Sequence, residues 1–187
     1  MKHLVAILVR PDFAWTAIAH EPMTARQVLG TILPLCLLPA LATIVGMSVF
    51  NSDWDPLHGY RTAGNRVLLV GLANFVFAAA TIVLLALLFH WLAVPDGKRR
   101  KPFAAALKLA AFGAVPVLLA GAFLVLPIMI VLTLVAAVHS LYLYYLGMQT
   151  VLEVRGEDAV MMLALCVVLL SVASGLLGAL ASAFGLL

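Results

Sequence analysis

Between Leu109 and Leu152 the chain carries no Lys, Arg, Asp or Glu. Few environments accept such a run. A helix crosses the hydrocarbon core of a bilayer with about 20 apolar residues, so this stretch holds two crossings. Lipid offers no hydrogen bonds to the backbone, so the crossings must be helices rather than open strands. Similar apolar runs start near Val28, Val67 and Val160. The chain is 65% hydrophobic and 10% charged. A soluble domain carries about 25% charged residues, so one is excluded here. Disorder, which needs low hydrophobicity, is excluded as well.

The expected fold is all-α: a polytopic membrane protein of five transmembrane helices behind a short interfacial helix. Residues 1–26 form a cytoplasmic N-terminal segment, and residues 27–187 form the five-helix domain. "MKHLVAILVRPDF" has too short an apolar core and no small-residue cleavage site for a signal peptide, and reads as mature chain. "PDFAWTAIAHEP" predicts a short helix with Pro11 in its first turn, ending before Pro22, and its aromatic side suits the membrane surface. Thr24 and Gln27 predict a capping box ahead of the first span, about Val28 to Val49. Pro34 and Pro39 predict a kink in it. The second span covers about Val67 to Val94. The third begins near Phe103 and holds Pro116. The fourth runs from about Pro127 to Met148, after a short apolar connection near Leu124–Leu126 that is either a tight hairpin or a bend at Pro127 in one long segment; if that turn stops short of the far side, the third and fourth segments are re-entrant. The fifth covers about Val160 to Phe184.

Basic residues set the orientation. A cytoplasmic N-terminus puts Lys2, Arg10, Arg26, Lys98, Arg99, Arg100, Lys101, Lys108 and Arg155 inside. Only Arg61 and Arg66 then lie outside, as does the C-terminus. The formal net charge of +3 is too small to point to nucleic acid.

The sequence holds no HExxH, no Walker-type glycine loop, no CxxC and no GxSxG elbow, so no catalytic, cofactor or metal site is expected. Asp53, Asp55 and His58 read as a solvated turn rather than as metal ligands. Cys36 and Cys166 read as buried thiols. Lys98, Arg99, Arg100 and Lys101 fix topology and are candidate contacts for lipid headgroups. Ser174, Gly178 and Ser182, four residues apart, form a candidate face for helix packing or self-association.

The most informative polar group is "HSLYLYYLGMQT". His139, Tyr142, Tyr145, Gln149 and Glu153 share one helical face that descends from mid-membrane to the cytoplasm. Ser140 and Tyr144 point toward another helix. His139 is glue, bonded to Asn74 or Thr81 of the second span, or this face with Asn74 lines a cavity or pore, or Tyr144 and Tyr145 are interface anchors at a lipid or partner site. Lys108 and Glu153 would complete a polar mouth.

"RPDFAWTAI", "PFAAALKLAAFGAVPVLLAG" and "HSLYLYYLGMQTVL", in this order along a five-span chain, resemble the bacterial branch of the Yip (Ypt-interacting protein) family. The matching positions are Ala104–Ala106, Pro116, Ser140, Tyr142, Tyr145 and Gly147. The resemblance implies the fold, the topology and a multi-pass place in a bacterial cytoplasmic (inner) membrane. Eukaryotic relatives are associated with Rab GTPases and with organelle membrane shape, through a long N-terminal region not seen here. The expected function is non-enzymatic organisation of membrane lipid or partner proteins, with self-association. The alternative is a small transporter or channel for a proton or cation.

Overall fold

The computed structural model describes residues 2–49, 64–93, 101–126 and 129–183. Among these residues the chain is all-helical, with no strand: α1 (Lys2–Val9), α2 (Pro11–His20), α3 (Ala25–Val49), α4 (Gly64–Leu92), α5 (Phe103–Gly113), α6 (Val115–Ala120), a 3-10 segment (Gly121–Val125), α7 (Ile130–Val151) and α8 (Gly156–Ala183).

Local chemistry explains the boundaries. Pro11 opens α2, where a missing N–H costs nothing. The capping box forms as expected. The Thr24 N–H donates to Gln27 Oε1 at 2.8 Å, and the Gln27 N–H donates to Thr24 Oγ1 at 3.4 Å. Pro34 and Pro39 stay inside a continuous α3.

Among the described residues four helical segments are long and apolar enough to cross a membrane: Ala25–Val49, Val67–Leu92, Phe103–Val125 and Val131–Val151. The fifth expected span falls on α8. The third segment is not one straight helix. It breaks at Ala114, two residues before Pro116, and tightens into the 3-10 turn. Proline has no N–H to give and its ring crowds the preceding turn, so the α-helical ladder stops there.

That broken segment is the centre of the bundle. Its most apolar stretch is 67% buried, against 33%, 22% and 28% for the other three. Helices α3, α4 and α7 pack around it, and α8 packs on α7 and α4. "FAAALKLAAFG" suits this place because alanine and glycine let neighbouring backbones come close. The third segment also runs the length of its neighbours. Gly46, in the last turn of α3, faces the backbone of Val125, while the His90 ring near the end of α4 meets Phe103 edge-on at 5.9 Å.

The N-terminal helices dock on the bundle. Trp15, on the helix expected at the membrane surface, is fully buried, and with Ile7 and Ile18 it belongs to the same apolar core as α4, α5 and α7. Phe13, 70% exposed, turns its ring outward from α2. An indole aimed at a cleft between packed helices gains more from dispersion contacts than one at a wet interface.

Candidate functional site

The core face of α7 is the row Ser140, Leu143, Tyr144, Gly147, Met148 and Val151, all buried. Their spacing of three and four residues keeps them in one stripe. The two glycines at the α5–α7 contact make it close. A methyl built on Gly147 would stand 2.4 Å from Leu109 Cδ1 and 2.9 Å from the ring of Trp15. One built on Gly113 would stand 2.3 Å from Tyr144 Cε1. Each glycine is therefore a notch for an aromatic ring from another helix. Tyr144 fills its notch, meets Phe89 edge-on at 5.5 Å, and its hydroxyl donates to the Ala110 carbonyl at 3.3 Å.

Below this contact lies Lys108, 7% exposed and about one and a half turns into α5. Its ammonium donates to the Ile18 carbonyl at 3.1 Å and to the Glu21 carbonyl. Both acceptors belong to the C-terminal end of α2, where carbonyls lack helical partners and the helix dipole is negative. Lysine 108 thus caps α2 from another helix. The expected polar mouth is a lock that fastens the N-terminal helices to the bundle.

At the same end Lys101 pairs with Glu153 at 2.7 Å. Glu153 takes up the left-handed conformation, φ 55°, in the turn from α7 to α8. The cleft among His90, Ala93, Lys101 and Leu152 has about 10 Å³, room for a single water.

The other predicted residues fall as follows. His139 is half-buried and its ring lies 6.3 Å from that of Tyr142, which is 48% exposed on the outer face of α7. Tyr145 and Gln149 turn instead toward the start of α8, with the Tyr145 hydroxyl 3.2 Å from a methyl built on Gly156. Asn74 does not bond His139. Its amide donates to Thr43 Oγ1 at 2.9 Å, tying α4 to α3. Of the matching tyrosines, Tyr142 faces outward and Tyr145 is half-buried; the deeply buried tyrosine of α7 is Tyr144, which is not among them. Cys36 and Cys166 are buried free thiols, as expected. Asp53, Asp55, His58, Lys98, Arg99 and Arg100 lie outside the described residues, as do the side chains of Ser174, Gly178 and Ser182. Among the described residues no group of His, Cys, Asp or Glu could hold a metal ion.

Sequence reasoning undervalued Trp15 and Lys108. A lone lysine inside the alanine-rich start of the third span was the available signal, because an unpaired ammonium cannot stay buried there.

Apolar helices around a broken central segment, with Asn74, Lys108 and Tyr144 bonded between helices, define an integral membrane protein of multi-pass type. A family model described as the Yip1 domain matches residues 5–177, and the chain belongs to the Yip family. The match begins within α1, so the docked N-terminal helices lie inside the family domain. No curated protein and no solved structure matches the chain.

Proposed function

We propose that this chain is a non-enzymatic protein of a bacterial cytoplasmic membrane that organises lipid or partner proteins. In this reading it spans the membrane five times, with the N-terminus in the cytoplasm and the C-terminus outside. Arg10, Arg26, Lys101, Lys108 and Arg155 gather at the end where α3 starts and α7 finishes, which is the cytoplasmic end by the positive-inside rule. Lys98, Arg99 and Arg100, outside the described residues, add to the basic charge available to anionic headgroups.

One observation carries the reading. Among the described residues Asn74, Lys108 and Tyr144 are engaged in bonds between helices, Trp15 Nε1, Thr133 Oγ1 and Ser140 Oγ are buried without a hydrogen bond, and a broad apolar perimeter faces outward. That arrangement supports a scaffold more than a conducting path. The test is flux of protons and monovalent cations into proteoliposomes, run beside chemical crosslinking. The expected outcome is flux equal to that of empty vesicles, with crosslinks to a second copy or a membrane partner. A flux that disappears in His139→Ala would sink the scaffold reading in favour of a transporter.

A further inference from the structure

Helices α3 and α4 are pinned together near the end of α3 and the start of α4. There the Asn74 amide bonds Thr43, and a methyl built on Gly71 would strike the Ile44 side chain at 2.3 Å. Toward the start of α3 and the end of α4 a groove opens between them. Its volume is about 590 Å³, within the range of small-molecule sites. Leu29, Ile32 and Leu33 form one wall, and Phe75, Ala80 and Leu87 contribute to the other; every lining side chain is apolar.

The charge beside one end of the groove identifies the occupant. From Phe75 to Leu87 the groove extends about 18 Å along α4. One leaflet contributes about 15 Å of hydrocarbon. With Trp91 at headgroup level the groove starts about 6 Å below it and runs past the bilayer middle to Phe75. Its Leu87 end lies toward the basic end of the molecule. Arg26 stands one turn beyond Leu29 on the same face of α3, exposed. Trp91 stands one turn beyond Leu87 on the same face of α4, 67% exposed. A guanidinium matches a phosphate by paired N–H bonds, and an indole sits at headgroup level.

We propose that the groove between α3 and α4 holds one acyl chain of a phospholipid whose phosphate is held by Arg26. The inference rests on the reading of the chain as a membrane scaffold and names the lipid contact that reading leaves open. An acyl chain fills a narrow apolar slot without leaving polar atoms unpaired, and the charge at the mouth fixes which leaflet supplies it.

The test uses the full chain in phosphatidylcholine vesicles containing phosphatidylglycerol with a photoactivatable acyl chain. Adducts are mapped by peptide mass spectrometry. The expected result is labelling concentrated on 29–33 of α3 and 75–87 of α4. Arg26→Gln should lower that labelling about fivefold, the effect of one basic side chain at an anionic surface. Ala80→Phe, which fills the slot, should abolish it, while labelling of the outer face of α7 at Val131–Val138 stays constant. Arg26→Gln leaves the packed core untouched, so it reports even if Ala80→Phe perturbs the fold. Labelling spread evenly over α3, α4 and α7 would overturn the proposal, as would crosslinks between two copies through the groove. Either result leaves the scaffold reading standing, whereas labelling of no helix at all would sink both.

Discussion

The ammonium of Lys108 on α5 donates to the backbone carbonyl of Ile18 on α2 at 3.1 Å. A buried cation and a helix C-terminus complete each other there. Lys108→Met removes the cation and leaves the α2 carbonyls without it. Each buried group that loses its partner costs about 1–3 kcal/mol. The expected outcome is a lower thermal midpoint and faster tryptic cleavage after Arg10 and Arg26. Cleavage at the parent rate would show that Lys108 does not hold the N-terminal helices.

Trp15 in the Gly147 notch makes a second test of the same docking. Gly147→Ala forces a methyl against Leu109 and the indole, and overpacking of this kind costs roughly 1–3 kcal/mol. Trp15→Ala empties the notch and should cost about 3–5 kcal/mol. Combined, the two changes should cost less than their sum, because the residues touch. Strict additivity in thermal unfolding would argue against the contact.

Tyr144 separates a hydrogen bond from a packing contact. Tyr144→Phe keeps the ring and loses one bond to Ala110, a change of about 1 kcal/mol. Gly113→Val drives a branched side chain into the ring and should lower the thermal midpoint far more. A larger loss from Tyr144→Phe than from Gly113→Val would place the hydroxyl, rather than the shape, at the centre of this contact.

Glu153 sets two small effects against each other. Its exposed pair with Lys101 is worth under about 1 kcal/mol and is weakened by salt. Its left-handed backbone costs about 1–2 kcal/mol for a residue with a Cβ. Glu153→Gly should therefore stay close to the parent at low salt and become the more stable of the two at high salt. Glu153→Val loses the pair and keeps the strain, so it should be the least stable at any salt. Urea unfolding in detergent at two salt concentrations reads the order.

Self-association through the last helix is the fifth test. In the scaffold reading, Gly178→Leu should weaken crosslinking between copies by disrupting the close approach that small residues allow. Unchanged crosslinking would rule out the face formed by Ser174, Gly178 and Ser182.

Much of the site was legible in parts. The spacing of Ser140 and Tyr144 gave their inward direction, and Thr24 and Gln27 gave the cap. The partners were not legible. Asn74 had several polar residues within reach on neighbouring helices, and only the α3–α4 register selects Thr43. His139 drew attention because a titratable ring is rare at that depth, but the row one position along the helix is the core face. A shift of one residue turns a helix by about 100°, enough to exchange an inward side for an outward one.

The sequence by itself determined the medium and the elements. Uncharged runs require lipid, lipid requires helices, and the prolines and the capping box fix where several helices start or break. The tertiary structure decided which apolar residues meet each other. Lipid is as apolar as leucine, so hydrophobic pattern does not distinguish a face turned to the bilayer from one turned to a neighbour. That distinction comes from shape: Gly113 and Gly147 admit Tyr144 and Trp15, and α2 comes to rest where Lys108 can cap it.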